Sequence, residues 1–307
     1  VDKMPKYETG GLLRNKPILG GVVLTILHII FLFLAGLTFE LVFLSVLNTL
    51  ILNYFILYLF LNFFFQFGFL ALFLLFIVPK GMKLPDLTFS FKDYAEKIRL
   101  STLKPIMRNI LIGVGSFIIF CIIVLIGAVT LGNYVFSPEI LFRNPSFAGL
   151  GWFLFVIMLI PGIWEEIAYR GVIFPMLSKK YSLKTSIIIS SLIFGFAHSF
   201  NILNLIFSGL DFFIILFYVG AQIIYATFLG VAFAYMYIKT KSLIPGIILH
   251  YLIDSVGQLF LNTLISDIFL EGIFLICFVG VIPAILIVIF VKFAVKTENE
   301  DDLITRS

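Results

Sequence analysis

The run from Arg108 to Gly132, RNILIGVGSFIIFCIIVLIGAVTLG, holds no charged residue after its first position. A helix needs about 20 apolar residues to cross the hydrocarbon core of a bilayer. Inside lipid, every backbone N–H and C=O must find a partner within the structure, which a helix provides by itself. The run is therefore read as a transmembrane helix. Runs of the same kind lie on both sides of it, at 18–38, 41–78, 149–178, 183–206, 212–238, 243–263 and 271–295. The chain as a whole is 61% hydrophobic and 12% charged, about half the charged share of a soluble domain. The expected fold is all-α: a polytopic membrane protein of about eight transmembrane helices, with no separate soluble domain.

The run 41–78 is too long for one simple crossing, and tilting, a break near Asn53 or an extension past the bilayer would each accommodate it. Between 85 and 107, charged and apolar residues alternate, which suits a helix lying at the membrane surface. The basic residues orient the bundle. Four Lys/Arg fall in the N-terminal tail, seven in 79–108, four in 170–184, two in 239–241 and three at the C-terminal end. The connections near 39–40, 207–211 and 264–270 hold none, and 133–148 holds only Arg143. Every second connection is basic, so the positive-inside bias predicts eight spans with both termini cytoplasmic. The domains follow: a cytoplasmic tail over 1–17, a transmembrane domain over 18–295 and a cytoplasmic tail over 296–307. The expected location is the cell membrane.

Other signals exclude more than they assign. The net charge of +4 is spread over membrane-flanking connections, so it points to bilayer orientation and not to nucleic acid. Cys121 and Cys277 both sit in apolar runs and are read as small buried hydrophobes, not as a zinc signature. No small-residue cleavage site follows a short apolar stretch near the N-terminus, so no removable signal peptide is expected. His28 is read as structural or interfacial, and Asn48, Asn53, Asn62 and Gln66 as hydrogen-bonding glue between helices.

An ionisable side chain within a span costs several kcal/mol, so each calls for a partner or a function. These residues gather in the second half of the chain: Glu165, Glu166, Arg170, His198, His250 and Asp254. From Lys179 back to Glu165 is 14 residues, from Lys184 to His198 is 14, and from Lys241 to Asp254 is 13. At about 1.5 Å per residue the three groups lie at a matched depth, roughly 20 Å from the flanking charges, with His250 one turn shallower. Glu166 and Arg170, four apart, can pair on one face, as can His250 and Asp254. Glu165 is turned about 100° from Glu166, which gives the two carboxylates different tasks.

These residues also carry a pattern. Glu165-Glu166-Ile167-Ala168-Tyr169-Arg170 fits Glu-Glu-x-x-x-Arg, Phe194 to His198 fits Phe-x-x-x-His, and His250 to Asp254 fits His-x-x-x-Asn/Asp. In this order on successive spans, within about 145–260, they resemble the type II CAAX prenyl endopeptidases and the wider CAAX protease and bacteriocin-processing (Abi) family of intramembrane proteases. The resemblance implies a glutamate-dependent endopeptidase acting on a membrane-associated or prenylated, lipophilic peptide. It implies that Glu165 and His198 activate water with Glu165 as general base, that His250 and residue 254 stabilise the oxyanion, and that Glu166 and Arg170 support the site. It implies no cofactor. The prenyl endopeptidases typically carry Asn where this chain has Asp254. An ionised carboxylate repels an oxyanion, so Asp254 is expected to be protonated, to orient His250 or to serve another role.

Two other classes use the same residues. Glu165, His198, His250 and Asp254 are all legitimate zinc ligands, which would make a zinc-dependent membrane hydrolase. A transporter or an immunity scaffold would instead use them as an ion pathway or a structural cluster, although no internal repeat of the transporter kind is evident. His-Glu-x-x-His, Gly-x-Ser-x-Gly and Gly-x-Gly-Asp motifs are absent.

Overall fold

A computed structural model of the chain describes residues 16–81, 91–101, 104–131, 136–145, 150–206, 209–259 and 267–295. All regular structure among them is helical. Apart from residues 16 and 17, the two expected tails lie outside the described residues, as do 133–135 and 146–148 of the 133–148 connection and 85–90 and 102–103 of the 85–107 stretch.

Seven helical rods are long and apolar enough to cross a membrane: Pro17–Leu41, Phe55–Ile77, Ile106–Leu131, Gly151–Ser178, Leu183–Asn201, Phe212–Thr240 and Ile268–Ala294. We label the elements α1 (Pro17–Asn53, whose first part is the span), α2 (Phe55–Ile77), α3 (Phe91–Lys97), α4 (Ile106–Leu131), α5 (Gly151–Ser178), α6 (Leu183–Ala197, running into a 3₁₀ turn His198–Asn201), α7 (Phe212–Thr240), α8 (Ile244–Asp254) and α9 (Ile268–Ala294). On α4, Leu111, Ile118, Ile122, Ile126 and Val129 are all exposed, while Ile112, Phe120, Val124 and Ala128 are buried. Exposed aliphatic side chains spaced at helical intervals make a face that lipid, not water, would cover.

Three expectations are corrected. No connection occurs near 39–40: α1 runs unbroken through Glu40 to Asn53, and the chain turns only at Tyr54, where φ −138° and ψ 47° leave the helical region. No Pro interrupts α1 after its first residue, so nothing forces an earlier stop. Glu40 instead meets the Tyr58 hydroxyl at 2.8 Å across the α1–α2 pair. Within the expected span 243–263, the described residues form an 11-residue helix, α8, followed by a 3₁₀ turn at Val256–Leu259, and residues 260–263 lie outside the described residues. That helix is about 16 Å long, roughly half the hydrocarbon thickness. Finally, Gln66 Nε2 donates to Asn62 Oδ1 at 2.8 Å within α2 itself, so this pair is not inter-helix glue. The Asn48 and Asn53 side chains lie outside the described residues.

Short α8 lies at the centre, packed on α4, α5 and α7, while α6 lies along α7 and α1 pairs with α2. The helix α3 docks on the bundle and does not only skim its surface. Tyr94 and Ile98 are buried, and the Tyr94 hydroxyl donates to the Leu74 carbonyl at 2.9 Å. Cys121 and Cys277 are free thiols.

Three rods contain π-helical segments, at Phe73–Ile77, Ile167–Ile173 and Phe274–Val281. Each is followed directly by a helical stretch with proline in second place: Pro79, Pro175 and Pro283. Proline offers no N–H to the carbonyl four residues back. The ladder slips by one residue, and Val78, Phe174 and Ile282 bond instead to the carbonyls of Phe73, Tyr169 and Cys277, five residues back.

Candidate active site

Glu165 and Glu166 end the α-helical part of α5, and Arg170 follows in its π segment. Arg170 Nη1 donates to Glu166 Oε1 at 2.9 Å and Nη2 to the Gly230 carbonyl on α7 at 3.3 Å. Its guanidinium lies over the rings of Phe194 (4.2 Å) and Phe233 (4.8 Å). Arg170 is thus sealed by an acid, a carbonyl and two aromatic faces, as a buried cation requires.

The same Glu166 Oε1 faces Nδ1 of His250 at 3.0 Å, so one carboxylate oxygen ties α5 to α8 and to its own arginine. On the other side of the imidazole, Nε2 is 3.3 Å from Asp254 Oδ2 and 3.9 Å from Glu165 Oε2. Both ring nitrogens face carboxylates, an arrangement that an imidazolium satisfies at both ends. Phe233 stacks on the ring at 5.2 Å and Phe194 meets it edge-on at 5.8 Å.

Close helix contact makes this geometry reachable. A Cβ on Gly246, one turn before His250, would stand 2.9 Å from Glu166 Oε2. A Cβ on Gly162, one turn before Glu166, would stand 2.9 Å from Tyr251 Cβ. Each helix therefore offers a glycine to the other's functional turn.

His198 caps α6 at the point where it tightens into the 3₁₀ turn. Its Nδ1 is 3.0 Å from the Phe194 carbonyl. A carbonyl can only accept, so Nδ1 carries the proton in that contact and a neutral ring has its lone pair on Nε2. Glu165 lies within electrostatic reach of both His198 and His250. Unlike Glu166, which is 1% exposed, Glu165 keeps 24% of its side chain accessible and borders a half-enclosed cavity of about 190 Å³.

The structure thus brings Glu165, Glu166, Arg170, His250 and Asp254 into direct succession and sets His198 beside them through Phe194. Sequence reasoning missed Phe233 and Gly246. Phe233 is one of 38 phenylalanines and nothing in its spacing marks it. Gly246 stands one turn before His250 on the same face, which is a signal, though a faint one. Among the described residues, no group of three or more His, Cys, Asp and Glu side chains is arranged to hold a metal ion. Glu166 is committed to Arg170, and both nitrogens of His250 face acids.

Residues 147–256 match the family model described as type II CAAX prenyl endopeptidase Rce1-like, and this interval contains every residue of the cluster. Comparison with curated proteins gives no match, and comparison with solved structures gives none.

Proposed function

From the match of residues 147–256 to the Rce1-like type II CAAX prenyl endopeptidase model, we propose that the chain belongs to that family and is a glutamate-dependent intramembrane endopeptidase in which Glu165 and His198 activate a water. The substrate would be a membrane-associated protein or a prenylated or otherwise lipophilic peptide in the cell membrane. One observation carries the reading. Of two adjacent carboxylates, Glu166 is bonded to Arg170 and His250, whereas Glu165 remains partly accessible beside a cavity.

In this mechanism the water is held between the Glu165 carboxylate and Nε2 of His198, whose tautomer the Phe194 carbonyl fixes. Glu165 takes one proton as the water oxygen bonds to the substrate carbonyl carbon. The negative charge that develops on the carbonyl oxygen is met by the positive charge of His250. As the C–N bond breaks, Glu165 returns the proton to the leaving nitrogen, giving a carboxylic acid and an amine. Asp254 serves in this scheme as a positioning residue. It accepts from His250 and turns the imidazole, so its own charge is held by the ring and is not presented to the oxyanion.

The test is cleavage by the purified protein in lipid nanodiscs, with peptides read by mass spectrometry. Glu165→Gln keeps the shape and loses the base, so turnover should fall by about 10²–10⁴-fold while folding is retained. His198→Ala should act similarly. Unchanged turnover in Glu165→Gln would instead favour a transport or scaffold role. The reaction is proposed to need no metal. Activity lost to a strong chelator and restored by zinc would replace that scheme with zinc hydrolysis at the same residues.

A further inference from the structure

The cavity beside Glu165 is built from three helical stripes. His28 and Leu32 on α1 are four apart, as are Gln66 and Leu70 on α2, and Ile157, Pro161 and Glu165 on α5 follow the same interval. Its walls are mainly aliphatic, with His28 and Gln66 as polar groups contributed from outside the catalytic cluster.

His28 is otherwise unexplained. It is 5% exposed, its Nδ1 is buried without a partner, and no described residue hydrogen-bonds it. Its one described ring contact is a tilted approach to Phe73 at 6.5 Å. Leaving such a group unsatisfied costs on the order of 1–3 kcal/mol. Gln66, a lining residue, uses its amide N–H on Asn62, which leaves its carbonyl oxygen as an acceptor. The volume sets the occupant's size. A dry cavity of about 150 Å³ holds benzene, so about 190 Å³ suits one aromatic ring with one further polar atom.

We propose that this cavity is a specificity pocket for a tyrosine side chain of the substrate, its ring against Leu32, Leu70 and Ile157 and its hydroxyl held by His28 and Gln66. Calling the occupant a substrate residue rests on the peptidase reading above. The pocket itself is independent of it. A phenol has one proton to give and lone pairs to accept with, so it can accept from an N–H of a neutral His28 while donating to the Gln66 carbonyl. Phenylalanine would leave both polar groups buried and unpaired, and the pocket would reject it for that reason.

Two measurements separate the pocket from the activity. In the first, binding of 4-methylphenol and of toluene to full-length protein in nanodiscs is followed by ligand-detected NMR, with empty nanodiscs as reference. The wild type should prefer 4-methylphenol by about five- to thirtyfold, the value of one to two hydrogen bonds. His28→Leu and Gln66→Leu should each reduce that preference, and Leu70→Trp, which fills the cavity, should abolish binding of both. In the second, cleavage of a mixed peptide library should show tyrosine enriched at one fixed position from the cut, with the preference moving to phenylalanine in His28→Leu. Equal binding of the two probes, or 4-methylphenol binding unaffected by both Leu70→Trp and His28→Leu, would overturn the pocket even if peptides are cleaved. Phenol-selective binding in a protein that cleaves no peptide would uphold the pocket and remove the peptidase reading.

Discussion

Nδ1 of His250 lies 3.0 Å from Oε1 of Glu166, a residue 84 positions earlier on another helix. That contact joins the Glu–Arg pair of α5 to the His–Asp pair of α8. Because the same oxygen also accepts from Arg170, the two cations compete for and reinforce one carboxylate.

The first prediction concerns this coupling. Arg170→Gln leaves Glu166 buried with one partner lost, and Glu166→Gln strands the guanidinium. Each should destabilise the protein by about 3–5 kcal/mol, the usual cost of breaking a buried pair. The double change should cost clearly less than the sum. Thermal unfolding of the four variants in one detergent gives the cycle, and simple additivity would argue against the pair.

Gly246→Ala isolates geometry from charge. The added methyl would stand 2.9 Å from Glu166 Oε2, and that carboxylate cannot swing away without leaving Arg170 and His250. Overpacking of this kind costs about 1–3 kcal/mol, partly offset by about 1 kcal/mol of helix propensity. The expected result is a turnover loss larger than the small fall in melting temperature explains. Gly246→Ala with wild-type kcat would show that Glu166 is freely placed.

Asp254→Asn tests whether residue 254 orients His250. An amide can still accept from Nε2 at the 3.3 Å contact, so activity should fall by about tenfold or less. Asp254→Leu removes the acceptor and should fall further. The kinetic readout is kcat at saturating peptide. Equal losses in the two variants would argue that charge, not orientation, is what Asp254 supplies.

Much of the fold was legible because lipid imposes a simple rule: uncharged runs of sufficient length become helices. The same rule failed at 39–40, where one Glu was read as a connection although a lone carboxylate with a tyrosine partner fits within a long helix. Hydropathy also does not register where a helix stops: α8 stops at Asp254, before the apolar run 243–263 ends. The candidate site was legible through its charges, as Glu165, Glu166, Arg170, His198, His250 and Asp254 stand out against an apolar background. Phe233, which stacks on His250, was not, because phenylalanine is the background here and only Phe194 is marked, by its Phe-x-x-x-His pattern. The π segments left a trace in Pro79, Pro175 and Pro283 that only the slipped ladder makes readable.

The remaining prediction is topological. Basic residues on alternate connections predict both termini in the cytoplasm and eight crossings, α8 and the residues after it counting as one. Single cysteines in 79–108 and 239–241 should be protected from an impermeant reagent applied outside, and cysteines in 133–148 should react. Reaction at 239–241 would reverse the orientation of α7 and α8.

The clustering of Glu165, Glu166 and Arg170 on α5 bears on how the protein is made. Each charged side chain near a helix centre opposes entry into the bilayer by about 2.5–3.5 kcal/mol, and within α5 only the Glu166–Arg170 pair offsets part of that cost. Their partners beyond α5 are the Gly230 carbonyl and His250, which emerge 60 and 84 residues after the groups they satisfy. At about 5–20 residues per second, the ribosome delivers His250 roughly 4–17 seconds after Glu166. During that interval α5 is a poorly solvated helix awaiting company, and α8 is the segment that lets it settle in lipid. Loss of His250 would therefore strike biogenesis before any substrate is met.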